Sequence, residues 1–322
     1  MRLPPLAFSG SRLMWRDLPR AVRSRIAQLA GADVSSETSA TSGFTPGFAA
    51  VLELADGHEV FVKAVSAEQN PQSPELARRE IVVAAALGPE VPAPRLLWSH
   101  DDGTWVILGF EAVRGQSPVQ PWRADDLARV LAALDALATA RPVAPNGLAP
   151  ITSTMEHDFQ GWRAIAAAPA GERERDLARH GERGAWIAAH LADLAAWESG
   201  WQAAAAGTAL VHGDLRADNV LLEPEHIWLV DWPHTALGAP WLDLAFMLPS
   251  IEMQGGGLAD ELFWGQRVSS GVAPGALRSV LAALAGYFAR ESGLPAPVGI
   301  PNLRRFQRAQ AALTLDWLQR LP

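Results

Sequence analysis

The sequence contains no cysteine among its 322 residues. Disulfide bonds and thiolate chemistry are therefore excluded, and the composition is compatible with a reducing, cytosolic setting. The chain also lacks an apolar run of about 18 residues, the length that a membrane-spanning helix needs. Its first residues lack the apolar stretch of a signal peptide. We therefore expect a cytoplasmic protein that has no membrane partner.

Positive charge is scarce, with 27 Lys and Arg residues against 35 Asp and Glu residues and a formal net charge of −8. This balance argues against a general nucleic-acid binder, which must neutralise phosphates. It is compatible with a cationic substrate, although a solvated acidic surface gives the same composition. Neither G-x-x-x-x-G-K-[ST] nor G-x-G-x-x-G occurs, which removes the P-loop and dinucleotide-binding interpretations.

The order of apolar segments predicts an α+β protein. Residues 48–54 and 59–65 flank the turn signal Asp56-Gly57 and predict a hairpin in a small antiparallel sheet. A helix starting at Ser73 and two further strands follow, and most of the chain after residue 111 has helical periodicity. We therefore place a nucleotide-binding lobe at residues 1–111, preceded by an N-terminal helix, and a larger helical lobe at residues 112–322. The predicted helices of the second part include 125–140, 184–206, 276–291 and 302–321.

Two apolar runs near residue 220 surround the most informative polar residues of the chain. Asp214 and Asn219 lie in a loop five residues apart, and Asp231 ends the apolar run that follows the turn at residues 223–226. A hairpin there would bring the three side chains to one end. Three converging oxygen-bearing side chains suit Mg²⁺ and a phosphate better than they suit a core.

Transfer of a phosphoryl group from a nucleotide assigns a role to each of these residues. Asp214 is the candidate base, because a carboxylate can accept a hydrogen bond from an alcohol and align it with the γ-phosphate. Asn219 and Asp231 offer a neutral and a charged oxygen to Mg²⁺, which usually keeps waters and substrate phosphates as its other ligands. Turn chemistry explains any single Asp or Asn in a loop, but the combination with two apolar arms favours catalysis.

Lys63 lies within an apolar strand, and Glu80 lies on the helix just downstream. We predict that Lys63 binds the α- and β-phosphates and that Glu80 holds the lysine. Glu75 is a rival partner, but it belongs to the first helical turn, where the helix dipole alone favours an acid. An ordinary surface lysine is the alternative explanation.

The loop from Ser42 to Phe48, which leads into the strand at residues 48–54, is a candidate phosphate cover. Ser42, Gly43 and Gly47 belong to this segment, and the glycines permit close approach of the backbone to a phosphate. As a motif it is weak, because a Ser/Gly loop between strands is usually only a loop.

These residues together resemble the aminoglycoside phosphotransferase family, a group of small-molecule kinases related in fold to choline kinases and protein kinases. The similarity runs from about Gly43 to Ala245, and its most specific part is His212-Gly213-Asp214 through Asn219. Asp231 and the segment 238–245 continue the pattern. In the first lobe it is carried by Phe61-Val62-Lys63, Arg79-Glu80 and residues 91–94.

The resemblance implies a bilobal protein-kinase-like fold, ATP or GTP as phosphate donor, and Mg²⁺. It implies that Asp214 is the catalytic aspartate and that Asn219 and Asp231 bind the metal. It further implies that Asp243 braces the catalytic loop. The adenine pocket would be lined by Phe110, Glu111 and Val113.

Two departures from protein kinases favour a small-molecule acceptor. Trp232-Pro233 follows Asp231 where protein kinases have Phe-Gly, and Gly213 stands where they have the arginine that pairs with phosphorylated activation loops. The acceptor is predicted to bind near residues 156–158 and 247–263, a stretch that includes Glu252, Asp260 and Glu261.

Three functions remain compatible with the sequence. The first is phosphorylation of a hydroxyl on an antibiotic such as an aminoglycoside, which would confer resistance. The second is a metabolic kinase for choline, another amino alcohol or a sugar. The third is a non-catalytic pseudokinase, which the presence of Lys63, Asp214, Asn219 and Asp231 disfavours.

Overall fold

The computed structural model describes residues 12–40, 46–139 and 147–322. Within these ranges, the first part of the chain forms a six-stranded sheet and two α-helices, which we call the N-terminal lobe. Its elements are β1 (Arg12–Leu13), α1 (Arg20–Ala30), β2 (Val34–Ser39), β3 (Gly47–Leu54), β4 (Glu59–Ser66), α2 (Ser73–Ala84), β5 (Leu96–Asp101) and β6 (Trp105–Glu111). The strand order is β1-β3-β4-β6-β5, and β2 also pairs with β3.

The sheet is mixed, which differs in one pair from the antiparallel sheet that the sequence predicts. Four of its pairs, β2–β3, β3–β4, β4–β6 and β5–β6, are antiparallel. The pair β1–β3 is parallel, with Arg12 opposite Gly47 and Leu13 opposite Phe48. A strand of two residues carries no alternation of apolar and polar side chains, so sequence periodicity could not reveal it.

Each face of the sheet is covered by one helix. Leu18 and Ile26, from α1 and the segment before it, pack with Leu52 on one face. Ala77 of α2 packs with Val106 on the other face. Helix α1 ends at Gly31, whose left-handed φ of 83° is readily available only to glycine. Burial of apolar surface on both faces therefore fixes the sheet that carries Lys63.

The rest of the chain, which we call the C-terminal lobe, is mostly helical. Its helices are α3 (Ala124–Thr139), α4 (Ile151–Thr154), α5 (Gly161–Ala167), α6 (Ala170–Ala178), α7 (Arg183–Ala189), α8 (Leu191–Ser199), α9 (Trp201–Ala205), α10 (Leu242–Met253), α11 (Ala259–Trp264), α12 (Pro274–Glu291) and α13 (Leu303–Arg320). Its strands are β7 (Ala209–Val211), β8 (Val220–Leu222), β9 (Ile227–Leu229) and β10 (Ala236–Gly238). The α+β prediction is confirmed.

The single helix predicted over residues 184–206 is wrong, because the structure divides it into α7, α8 and α9. His190 leaves the helical conformation with φ −113° and ψ 13°, and Gly200 lies between α8 and α9. The Ala-rich composition preserves an apolar stripe across both junctions, so periodicity alone does not show where the backbone turns.

The predicted hairpin around the turn at residues 223–226 is present as the antiparallel pair β8–β9. Strand β7 pairs instead with β10. Gln116 and Leu222 exchange backbone hydrogen bonds of 3.0 and 2.8 Å, and the Leu229 amide donates to the Pro92 carbonyl at 2.7 Å. These bonds attach the hairpin to the segment after β6 and to the segment before β5. The lobe boundary after Glu111 stays a prediction.

No helix within the described ranges is both long enough and apolar enough to cross a membrane.

Candidate active site

A cavity of about 480 Å³ lies between the sheet of the N-terminal lobe and the β8–β9 hairpin. This volume is in the range of small-molecule and cofactor sites. Apolar side chains from both lobes line it, among them Phe48, Val51, Phe110, Leu221 and Val230. The polar and charged residues on its wall include Lys63, Glu80, Asp218, Asn219 and Asp231.

Lys63 forms the centre of an ion-pair network on the wall of this cavity. Its Nζ donates to both carboxylate oxygens of Glu80 at 2.7 and 2.9 Å, and to Oδ1 of Asp231 at 2.8 Å. Glu75, the alternative partner considered for Lys63, instead places Oε1 3.5 Å from Nε of Arg79. Burial alone would lower the pKa of Lys63, but the carboxylates of Asp231 and Glu80 outweigh it and raise that pKa above its usual value. The lysine is therefore charged at neutral pH.

Asp231 is held in a conformation that side chains rarely adopt. Its φ of 70° is positive although it is not a glycine, a strain that often marks functional sites. Burial opposes its ionisation, but Lys63 holds the pKa of the Asp231 carboxyl below its usual range. One oxygen of an ionised carboxylate is thus used by Lys63, and the other is a candidate metal ligand.

Asp243 holds the loop that leads to Asp214 through hydrogen bonds to its backbone. The Asp243 carboxylate accepts the backbone amides of His212 and Gly213 at 2.8 and 2.9 Å. Burial lowers the pKa of His212 to about 4, so its ring is neutral at pH 7 and donates from Nε2 to the Val230 carbonyl at 3.0 Å. A side chain at Gly213 would approach the His234 carbonyl to 2.6 Å, so glycine is required there.

Asp214 is linked to its neighbours by a cation and an amide. Arg216 donates to Asp214 and also to both carboxylate oxygens of Asp218, the latter at 3.1 and 3.0 Å. Nδ2 of Asn219 donates to the Asp214 carbonyl at 2.7 Å, which leaves the amide oxygen of Asn219 as a ligand atom. Burial raises the pKa of Asp214, and Arg216 acts in the opposite direction.

The residues present fit a magnesium ion. Asn219 and Asp231 lie on the wall of the same cavity and offer one amide and one carboxylate oxygen. Hard oxygen ligands are those that Mg²⁺ prefers, and two protein ligands suffice when phosphates and waters complete the shell. Among the described residues, no group of three or more His, Cys, Asp or Glu could hold a metal by itself. A metal ion bound here would therefore need the nucleotide phosphates and waters as additional ligands.

A family model described as the phosphotransferase enzyme family (APH) matches residues 43–287. The chain belongs to this family. It is thus a small-molecule phosphotransferase, as the sequence predicts. No curated protein matches the sequence significantly.

Solved structures with a similar fold include an aminoglycoside phosphotransferase, a spectinomycin phosphotransferase and a choline/ethanolamine kinase family protein. The chain is similar to a thermostable mutant of the aminoglycoside phosphotransferase APH(4)-Ia in ternary complex with ADP and hygromycin B, with TM-score 0.58 and 15% identity over 93% of this chain and 98% of that one. Spectinomycin phosphotransferase APH(9)-Ia, in complex with ADP and spectinomycin, gives TM-score 0.58 and 13% identity over 92% and 98%. A choline/ethanolamine kinase family protein from Mesorhizobium loti gives 0.55 and 17% over 94% and 100%. At these identities the similarities show a shared fold, and they confirm the kinase-like fold predicted from the sequence.

The structure brings most of the phosphotransferase's predicted site residues to one place. Phe110, Glu111 and Val113 line the cavity with Lys63, Glu80, Asn219 and Asp231, although their roles in binding stay predictions. Gly47 begins β3, and a side chain there would approach the Ala64 carbonyl to 2.9 Å. The predictions for Ser42 and Gly43 lie outside the described residues.

Two residues near the site were missed by sequence reasoning, and a third was predicted only as part of a stretch. Arg216 lies inside the motif, two residues after Asp214, so its position could have been noticed. Arg12 lines the cavity from a strand of two residues, and no local pattern marks it. Asp158 belongs to the stretch 156–158 that the sequence predicts near the acceptor, but the sequence does not show that Asp158 is half-buried and Glu156 exposed.

We expect Asp243→Asn to destabilise the protein by about 1–3 kcal/mol. The asparagine side chain replaces one acceptor oxygen by an NH₂ group, which would face a backbone N–H and leave it without a hydrogen bond. Burial raises the pKa of Asp243 to about 6 in spite of its two backbone hydrogen bonds. The folded chain therefore holds this proton more tightly than the unfolded chain. The group's contribution to stability is largest at low pH and is lost as the pH rises through 6.

Urea unfolding of wild type and Asp243→Asn between pH 4 and 7 measures this contribution. The stability advantage of the wild type over the variant should shrink by about 2 kcal/mol across that range. Asp193→Asn, the same change at an exposed position of α8, is the matched control. A difference that does not vary with pH would contradict the raised pKa.

Proposed function

We propose that the chain transfers the γ-phosphoryl group of ATP or GTP to a hydroxyl of a small molecule that carries a positively charged amine. An aminoglycoside or related antibiotic has this chemistry. The observation that carries the proposal is the arrangement at one end of the cavity. There the Lys63 ammonium donates a hydrogen bond to the Asp231 carboxylate, and the Asn219 amide donates one to the backbone carbonyl of Asp214. The proposed phosphate-binding cation, the two proposed metal ligands and the proposed base thus form two hydrogen-bonded pairs, and three of these four residues line the cavity.

In the proposed reaction, Lys63 binds the phosphates and Asp214 receives the proton of the acceptor hydroxyl. The acceptor oxygen forms a bond to the γ-phosphorus as the bond from that phosphorus to the β–γ bridging oxygen breaks. Asn219 and Asp231 would hold Mg²⁺, which neutralises charge on the phosphates when it is bound. The positive charge of Arg216 favours the ionised form of Asp214 that this step requires.

One acid near Asp214, Asp158, is a candidate partner for an amine of the acceptor. Asp158 is half-buried, and its side chain makes no hydrogen bond or ion pair with any of the described residues. Burial raises its pKa, and the nearby carboxylate of Glu291 raises it further. The charges of Asp158, Glu291 and Asp214 all act on the hydroxyl of Tyr287, so these groups surround one region. Glu291 is already paired with Arg304 at 2.7 Å and Asp214 with Arg216, so a cationic amine beside the acceptor hydroxyl would pair with Asp158.

Two of the three acids in the other stretch predicted for the acceptor are already paired within the protein. Arg320 donates to Glu252 at 2.7 Å and to Asp260 at 2.6 Å, and Glu252 also accepts the Ala259 amide at 2.8 Å. Carboxylates that are paired within the fold have little charge left for a ligand. These contacts favour the region of Asp158 over residues 247–263 as the binding site for an amine.

A coupled assay of nucleoside diphosphate release, ADP from ATP or GDP from GTP, tests the proposal. The panel should contain aminoglycosides, spectinomycin-like aminocyclitols, choline, ethanolamine and neutral sugars, each with ATP and with GTP. Acceptor-dependent release of ADP or GDP with an amino compound supports the proposal, and mass spectrometry should show one added phosphate on a hydroxyl. Turnover confined to neutral sugars would contradict the amine requirement. Turnover confined to choline or ethanolamine would favour a metabolic role over resistance.

Asp158→Asn should raise the KM for an amine-bearing acceptor by about tenfold, which corresponds to about 1.4 kcal/mol for one lost charge contact. The KM for the nucleotide should stay unchanged, because Asp158 belongs to the acceptor side. Steady-state kinetics with both substrates varied measures the two constants separately. Asp193→Asn again provides the control. An equal increase in the KM for the acceptor and the KM for the nucleotide would indicate a general disturbance of the fold and contradict a specific acceptor contact.

A further inference from the structure

We propose that Arg12, carried by the N-terminal strand, is a second cationic ligand for the phosphate chain of the nucleotide, next to Lys63. The inference rests on the proposed function in one respect, namely that the cavity takes a nucleoside triphosphate. It adds a binding residue from outside the matched family region, which begins at residue 43.

The position of Arg12 follows from where β2 stops. Ser39, the last residue of β2, pairs with Ala50, so β2 does not extend to the beginning of β3. Strand β1 occupies the edge beyond that point, with Arg12 opposite Gly47. The N-terminal segment therefore borders β3 where the chain enters the sheet from the predicted phosphate-covering loop.

Several contacts fix the N-terminal segment in this place. The Trp15 ring packs against Phe48 with centroids 6.0 Å apart, and the Trp15 amide donates to Oε2 of Glu37 at 2.8 Å. Leu18 is 2% exposed and belongs to the core beneath the sheet. Arg12 is thus presented by an anchored segment.

The side chain of Arg12 faces the same cavity as Lys63 and Asp231. Burial lowers its pKa and the charge of Asp231 opposes this effect, and a guanidinium stays charged at neutral pH in either case. Arginine is well suited to phosphate, because its planar fork can donate two parallel hydrogen bonds to phosphate oxygens.

The charges at this end of the cavity explain why a second cation is useful. Lys63 is hydrogen-bonded to two carboxylates at once, those of Glu80 and Asp231, so its charge is shared between them. One cation and two anions leave a net negative charge where an anionic phosphate chain must bind. The positive charge of Arg12, near Asp231, balances this net negative charge before Mg²⁺ adds its own positive charge. Desolvated charge pairs of this kind contribute strongly to binding.

Arg12→Gln tests the inference, because glutamine keeps much of the side-chain length and removes the charge. Isothermal titration with ATP, ADP, AMP and adenosine, each with Mg²⁺ and without acceptor, measures binding directly. We expect the Kd for ATP to rise about tenfold or more, the Kd for ADP to rise as well, and the Kd for adenosine to stay unchanged. Arg12→Lys should recover part of the loss. The matched control is Arg16→Gln on the same segment, because the Arg16 side chain is 80% exposed.

Unchanged ATP binding in Arg12→Gln overturns the inference and leaves the proposed function intact. An equal loss for ATP and adenosine also overturns it, because it would show that Arg12 supports the fold or the base pocket. Failure of the proposed function has a different signature, namely wild-type protein that binds ATP but releases no ADP with any acceptor. Wild-type protein that binds no nucleotide would overturn both.

Discussion

Asp214→Asn is expected to lower kcat by about 10²–10⁴-fold, the contribution that a positioned general base usually makes. The amide keeps the shape of the carboxylate but cannot take the proton of the acceptor hydroxyl. Arg216 keeps its two bonds to Asp218, so the loop should retain its conformation. The Kd for nucleotide should change by no more than about twofold, because Lys63, Asn219 and Asp231 are untouched. Single-turnover kinetics and titration with a nucleotide measure the two quantities.

Three measurements distinguish the loss of a catalytic base from a general disturbance of the fold. Asp193→Asn should keep wild-type kcat, and circular dichroism should show the same fold in both variants. The wild-type rate should rise with pH through the pKa of Asp214, because only its ionised form accepts a proton, and burial places that pKa above its usual value. A kcat for Asp214→Asn close to that of the wild type would remove Asp214 from its assigned role.

The parts of the fold that the sequence predicts well are those determined by local patterns. The hairpin β8–β9 follows from two short apolar runs around one turn, and its presence brings Asn219 close to Asp231. The contact between Lys63 and Glu80 follows from a lysine in the middle of a strand and an acid in the middle of the next helix. Both predictions use residues that are near each other in the sequence, where few arrangements compete.

The parts that the sequence does not predict depend on distant residues. The bond from Lys63 to Asp231 joins positions 168 residues apart, and no local pattern specifies its geometry. Strand β1 exists because a sheet edge is open beside Gly47, which can be seen only once the sheet has formed. The pairing of Arg320 with Glu252 and Asp260 likewise removes an acidic patch that the sequence alone presents as free. Tertiary contacts thus decide which charged residues remain for function.

Lys63→Met is expected to abolish phosphoryl transfer and to destabilise the protein by about 3–5 kcal/mol, the usual cost of removing one partner from a buried ion pair. Activity is lost because the phosphates lose their lysine. Stability is lost for a separate reason. Glu80, which is 4% exposed, and Asp231 would face each other as carboxylates without the cation between them. Urea unfolding and the ADP-release assay measure the two effects independently.

The double variant Lys63→Met/Glu80→Gln separates the two effects. Replacing Glu80 by a neutral isostere removes one of the two repelling charges, so the double variant should regain much of the stability that Lys63→Met loses. It should regain no activity, because the phosphate-binding cation is still missing. The exposed pair Arg78 and Asp101 provides the control, and Arg78→Met should cost less than about 1 kcal/mol. Recovery of both stability and activity in the double variant would mean that Lys63 only balances Glu80. Phosphate binding would then depend on other cations, and among the described residues Arg12 lines the same cavity.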